Sequence, residues 1–260
     1  MSRKRLDQEL VTRGLFPTRN SARNGVRAGY VTVDGEIARK PAMNVSASSD
    51  LSVSADAGDY VGRGAYKLRS ALESFAVRTQ DRSAIDVGSS TGGFTEVLLE
   101  AGVTEVVALD VGRNQLHPRL REDRRVRVSE GTNIRDVSVA DLDGPFDIVT
   151  ADLSFISLRA VAADLEPLGN ADADWIVLVK PQFEGGRGGL SKDGIVLTAE
   201  VRAQSMVDVV AAFTQVGLTA VGTARSPIAG GSGNVEAFLW LRRNGVPIVS
   251  ADAFKVLADE

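Results

Sequence analysis

The sequence predicts an α/β protein: a doubly wound, mainly parallel seven-stranded sheet preceded by a small α+β head. Three observations predict it. Past residue 64, apolar strand-like runs alternate with helix-period segments, which implies a parallel sheet covered on both faces. The first of these strands ends in a glycine-rich loop that opens a helix. Charge is also divided: residues 1–40 hold nine Lys/Arg and four Asp/Glu, a balance of +5, whereas the remaining 220 balance at −9. A basic head on an acidic body is the asymmetry expected when one module meets nucleic acid.

The head is assigned to residues 1–57. Leu6, Leu10 and Leu15 line one side of a first helix that Gly14 stops. Thr18 caps a second helix reaching about Ala28. On it Arg19, Arg23 and Arg27 share one face, and Ala22 and Val26 pack on another. YVTVDG alternates like a strand and ends in an Asp-Gly turn. A Pro/Ser-rich stretch, 41–50, leads to a short strand at LSVSA. Residues 58–63, in the Gly-rich GDYVGRG, form the linker.

The body, 64–260, contains strands at SAIDVG, EVVALDVG, RVRVSEG, FDIVTADL, DWIVLVKP, LTAVGTA and VEAFLWLRR. Helices are expected around 64–77, 92–101, 157–166, 200–216 and 250–258. Only a Gly/Pro-rich loop separates the last two strands, which implies an antiparallel finish.

Composition excludes several chemistries. The 260 residues include no cysteine and one histidine, His117, which precedes a proline. Disulfides, Cys/His zinc sites, Cys nucleophiles and a Ser–His–Asp triad are therefore set aside. No metal is expected. Proton chemistry must rest on Lys, Asp, Glu, Tyr or Arg. No strictly apolar run exceeds five residues, so no membrane association is expected. The basic start MSRKRLDQEL lacks the apolar stretch of a secretory signal, and a cytoplasmic location is expected.

The loop after the first body strand reads Asp86-Val87-Gly88-Ser89-Ser90-Thr91-Gly92-Gly93-Phe94. Its spacing differs from the G-x-G-x-x-G of dinucleotide binders. An acidic strand end with a wider loop suits a cofactor whose near end is a charged amino acid, and S-adenosylmethionine fits. Asp110, 22 residues past Gly88 and followed by Val111, stands where ribose hydroxyls would bind. Asn133, after the third strand, is placed for an adenine edge. Asp152 and Leu153, after the fourth, complete the expected cofactor set.

Methyl transfer to pyrimidine C5 usually requires a Cys nucleophile, which is absent. Transfer to an exocyclic nitrogen usually uses a D/N-P-P-Y-type segment, where this chain has TADLSF. Transfer to a ribose hydroxyl needs a lysine to stabilise the developing alkoxide or accept its proton, with acids to hold that lysine. Asp152 closes the fourth strand and Lys180 the fifth, at the ligand edge of such a sheet. Lys67 in RGAYKL and Glu236 in GNVEAFLWL are two further candidates. Taken singly, each reads equally as a solvated strand-end charge.

The stretches RGAYKL, DVGSSTGGFTEVLL, ADLSFISL, VKPQFE and SGNVEAFLWL together resemble the TlyA family of ribosomal RNA 2′-O-methyltransferases, also called haemolysins. The resemblance spans essentially the whole chain. It implies a class I Rossmann-like methyltransferase domain with a Lys-Asp-Lys-Glu tetrad, which falls by motif on Lys67, Asp152, Lys180 and Glu236. It implies a head like a small-subunit ribosomal protein's RNA-binding domain; within that head Arg5, Arg19, Arg23 and Lys40 are the candidate RNA contacts, because phosphate contacts come mostly from Arg and Lys. The implied substrate is cytidine in ribosomal RNA, within one or both ribosomal subunits, and a monomeric enzyme is expected. The linker departs from the family: relatives often carry an Arg and a Trp where this chain has Gly58-Asp59-Tyr60-Val61, so Tyr60 supplies the aromatic and the Arg has no counterpart. Two other classes stay open at this point, a membrane-lytic protein and an RNA-binding protein that keeps the fold without catalysis. Finally, Glu184–Gly194 holds five glycines with Arg187 and Lys192, and two readings stand: a loop closing over a flipped nucleotide, or a plain surface loop.

Overall fold

The computed structural model describes residues 3–16, 18–27, 30–53, 60–185, 190–191, 194–230 and 233–248. The chain divides into two compact units, Met1–Arg63 and Gly64–Glu260.

The first unit contains β1 (Lys4–Arg5), α1 (Leu6–Thr12), α2 (Arg19–Arg27), β2 (Val31–Val33), β3 (Glu36–Ile37), β4 (Asn44–Val45) and β5 (Leu51–Val53). Leu6, Leu10, Ala22, Val26 and Val31 are buried together and form its core. α1 ends at Thr12, and Gly14 follows with φ +72°. Leu15 therefore lies past the helix, although it still packs on the core. Asp34 and Gly35, with φ 53° and 86°, make the turn from β2 to β3. β2 is flanked by β3 and β5. The Pro/Ser-rich stretch is more than a connector: its Asn44–Val45 segment pairs antiparallel with Lys4–Arg5.

The second unit contains α3 (Gly64–Phe75), β6 (Ser83–Val87), α4 (Gly93–Glu100), β7 (Glu105–Asp110), α5 (Pro118–Arg121), β8 (Val126–Glu130), β9 (Phe146–Ala151), α6 (Ala162–Leu165), β10 (Gly169–Val179), α7 (Pro181–Glu184), α8 (Ala199–Gln215), β11 (Thr219–Arg225) and β12 (Ala237–Arg242). The sheet order is β11-β12-β10-β9-β6-β7-β8. β12 runs antiparallel to both its neighbours, and the other pairs are parallel. The antiparallel finish is thus the insertion of the last strand between β10 and β11.

Apolar strand runs fill the centre: Ile85, Val149, Trp175 and Val177 are completely buried. From β6 the chain moves outward through β7 and β8, then returns to place β9 on the other side. That reversal makes a crevice beyond the carboxyl ends of β6 and β9, where ligands of such sheets bind. One expected helix is broken. Residues 157–166 form a 3-10 turn, Leu158–Ala160, then α6, then a second 3-10 turn, Glu166–Leu168. The first turn is held from outside: the Leu158 amide donates to the Glu184 carboxylate at 2.7 Å. The helix expected at 250–258 lies outside the described residues.

Candidate active site

Three strand ends build the crevice. β6 runs into Gly88 at φ +86°, where a Cβ would lie 2.7 Å from the Asp152 carbonyl oxygen. Only glycine lets the first loop and the loop after β9 approach so closely. Gly92, at φ +100°, opens α4 where a Cβ would strike Leu120. Between these loops lies a cavity of about 470 Å³, within the range of small-molecule sites.

Gly88, Ser90, Asp110, Val111, Asn133, Asp152 and Leu153 line the cavity, as the sequence reading expects. Gln115, Ile134, Ser154, Phe155 and Ile156 also line it, the last three from the ADLSFISL stretch, and none was among the expected site residues. Ser89, Thr91, Gly92, Gly93 and Phe94 shape the loop and helix start without forming the wall.

Asp86 does not reach the wall either. It is fully buried and accepts from Thr95 Oγ1 at 2.7 Å and Thr150 Oγ1 at 3.1 Å. Burial pushes its carboxyl up to about 7, against those two hydrogen bonds, and the nearby Asp152 charge adds to the rise. Its role is to tie α4 and β9 to the strand beneath the loop.

Asp110 accepts from the Ser90 amide at 2.8 Å and the Gly112 amide at 2.7 Å, one on each oxygen. It therefore fixes two rims of the cavity, and each oxygen keeps a second lone pair for a ligand hydroxyl. Asn133 accepts from the Arg135 amide and caps a 3-10 turn while facing the cavity. Glu130 was missed from sequence. Closing β8, it accepts from the Asn114, Gln115 and Leu116 amides at 2.7–2.9 Å. The Leu116 amide first, then Arg121, lowers its carboxyl to about 2.

The four tetrad candidates form two ion pairs, with Lys67, Lys180 and Glu236 buried and Asp152 partly buried. Lys180 Nζ lies 2.6 Å from Asp152 Oδ1 and donates to Ser154 Oγ at 2.9 Å. Lys67 Nζ donates to Glu236 Oε2 at 2.5 Å. Gln182, two residues past Lys180, donates to Glu236 Oε1 at 3.2 Å and so links the pairs. At the head of α3, a Cβ on Gly64 would lie 3.7 Å from Asp152 Oδ2. Lys67 and Asp152 therefore belong to one neighbourhood. Pairing compensates much of the desolvation cost of three buried charges and one partly buried one.

Gln182 and Asn234 were also missed, because an amide near a turn carries no distinct sequence signal. Asn234 is 3% exposed; it accepts from the Val196 amide at 2.9 Å and donates to the Gly194 carbonyl at 3.0 Å. It thereby fastens the end of the glycine loop to the segment carrying Glu236. Arg187 and Lys192, and with them the closing-loop expectation, lie outside the described residues. Phe155 stands on the rim at φ +66° and 92% exposed, its ring 5.3 Å from that of Phe183.

In the first unit, Arg5, Arg19 and Arg23 converge on the carboxylate of Asp7, and Lys40 is exposed, one residue before Pro41, whose carbonyl accepts from the Asp7 amide at 2.9 Å. The Arg27 side chain lies outside the described residues. Among the described residues, no group of three or more His, Cys, Asp or Glu could hold a metal, and no helix is long and apolar enough to cross a membrane.

Strand order, glycine loop and lysine–carboxylate pairs together define a class I methyltransferase. The model of FtsJ-like methyltransferases matches residues 60–243, and that of the S4 domain matches residues 4–51. The 16S/23S rRNA (cytidine-2′-O)-methyltransferase TlyA of Mycobacterium tuberculosis is 48% identical over 241 residues, 92% of this chain and 90% of that protein. Hemolysin A of Brachyspira hyodysenteriae is 34% identical, over 89% of this chain and 97% of its own. A solved structure from Streptococcus thermophilus, described as a candidate hemolysin, superposes with a TM-score of 0.77 at 36% identity, covering 99% of this chain and 95% of that one. The chain belongs to the TlyA family of FtsJ-like methyltransferases.

Proposed function

We propose that this protein transfers a methyl group from S-adenosylmethionine to the ribose 2′-hydroxyl of cytidine in ribosomal RNA, within one or both subunits. The observation that carries the reading is the pair of lysine–carboxylate contacts, Lys180 with Asp152 and Lys67 with Glu236, at the sheet edge that also bears the glycine loop. Residues 64–260 act as the catalytic domain, 1–57 as the RNA-binding head and 58–63 as the linker. The reading takes the enzyme as a monomer, and an rRNA substrate implies work in the cytoplasm.

The cavity fits the cofactor. Gly88 leaves the close approach that a Cβ would fill, Asp110 offers hydroxyl acceptors, and Val111 and Ile134 give apolar walls for a purine. When bound, S-adenosylmethionine supplies an electrophilic methyl on a sulfonium. The residues of this chain handle the hydroxyl. The Lys180 ammonium, aimed by Asp152 and Ser154, stabilises negative charge growing on the 2′-oxygen as that hydroxyl's proton passes to water. Glu236, itself held by Gln182, keeps Lys67 as a second cation at the same edge.

The test is methyl transfer from isotope-labelled S-adenosylmethionine to purified ribosomal subunits, followed by nuclease digestion. Label in 2′-O-methylcytidine is expected. Label in a base-methylated nucleoside, or none at all, would refute the reading.

A further inference from the structure

Asp7 is the first-turn acid of α1, yet it is wholly buried and surrounded by cations. Arg5 reaches it in a two-pronged contact, Nε to Oδ1 and Nη2 to Oδ2, both at 3.0 Å. Arg23 Nε donates to Oδ2 at 2.9 Å, and Arg19 Nη2 donates to the same oxygen at 3.3 Å. The three arginine side chains remain 40%, 42% and 46% exposed. Arg5 ends a strand whereas Arg19 and Arg23 lie a turn apart on α2, so nothing in the local chain brings the three together. Without a shared anion, three like charges would separate.

We propose that Asp7 is a positioning residue for RNA binding, which gathers the three guanidiniums into one preformed cluster that meets neighbouring backbone phosphates. The proposal rests on the rRNA reading above. A guanidinium carries five donors in a planar fork, so one edge can hold Asp7 while another grips a phosphate oxygen. The three arginines around one carboxylate leave a local excess of two positive charges. Contact with Arg5 first, then Arg23, holds the Asp7 carboxyl well below the usual carboxylate range, so the anchor stays ionised wherever RNA is intact.

The sign of one substitution tests this. Asp7→Asn keeps the shape and removes a negative charge, taking the balance of residues 1–40 from +5 to +6. If Asp7 only competes with phosphate, the variant binds purified ribosomal subunits more tightly and with a steeper salt dependence. If Asp7 positions the arginines, binding weakens by about tenfold and the log–log salt slope becomes shallower by about one contact. Equal or tighter binding overturns the proposal. S-adenosylmethionine affinity, measured on the same full-length protein, should not change. Should Asp7→Asn unfold the head, the double variant Arg19→Lys/Arg23→Lys takes its place, since it keeps charge and loses the fork. Weaker binding at unchanged charge supports positioning, and unchanged binding overturns it. Failure of the wild-type protein to bind subunits would instead overturn the rRNA reading itself.

Discussion

The protein contains two clusters of opposed charge, and they are built to different rules. In the head, three arginines share one carboxylate, and all three remain partly exposed. In the catalytic domain, two lysines meet two carboxylates, with no side chain more than 20% exposed. The first arrangement keeps an excess of cation where a polyanion can reach it. Such contacts act at long range and weaken with salt. The second balances its charges and removes them from water, where each contact is stronger and direction matters more than net charge. A binding surface needs spare charge, whereas a site for proton chemistry needs charge fixed in place.

The largest effect expected from this contrast is at Lys180. Lys180→Ala removes the cation nearest the expected oxygen and should lower methyl transfer by roughly 10²–10⁴. Subunit binding and its salt dependence should be unchanged, because the head is untouched. Single-turnover transfer assays beside filter binding would show both, and near-normal turnover would break the distinction between the clusters.

The second pair separates stability from activity. Lys67 and Glu236 are 9% and 2% exposed, so removing one partner leaves a buried charge. Lys67→Met alone should cost about 3–5 kcal/mol of stability. Adding Glu236→Gln should restore most of that stability without restoring turnover. In the head, exposed arginines replaced singly should cost no more than about 1 kcal/mol each. Denaturant titrations of these variants would measure this, and equal losses in head and body would erase the contrast.

Much of this arrangement is legible in the sequence, and the exceptions have physical causes. Apolar runs reveal the five inner strands because burial on both faces demands them, the half-buried edge strands β8 and β11 carry a weaker pattern, and a charged residue ending an apolar run marks the ligand edge. That logic places Asp152 and Lys180 together. Asp7 escaped it because a first-turn acid ordinarily faces water, and its burial depends on Arg19 and Arg23 approaching from another helix. Gln182 and Asn234 escaped because their partners lie 54 and 38 residues away along the chain. The two-residue strand Asn44–Val45 has too few residues to show a period.

Asn234 offers a smaller, more local test. Asn234→Ala removes both bonds that fasten Gly194 and Val196 beside the Glu236 segment. Amide exchange at Val196 should accelerate, and turnover should fall about tenfold with cofactor affinity intact, the cost of two buried hydrogen bonds. Faster exchange with wild-type turnover would limit Asn234 to local structure.

The last test is a pH dependence, and its sign follows from burial. Asp86 is raised in the folded protein to about 7, chiefly because burial disfavours its charged form. Between its unfolded value and about 7, the folded state binds the proton and the unfolded state releases it. The stability associated with protonated Asp86 is therefore complete below about pH 4, declines as pH rises, and is lost above about 7. Asp7 behaves oppositely, since its lowered value contributes stability at every pH above the ordinary carboxylate range and loses it only in strong acid. Asp86→Asn replaces the titrating group with a neutral one of the same shape. Measured by thermal unfolding, the variant should gain on the wild type from pH 5 to about pH 7 and then hold that gain to pH 8, whereas Asp7→Asn should show a constant deficit over that range. Parallel curves for Asp86→Asn and wild type would mean that this carboxyl keeps an ordinary value despite its burial.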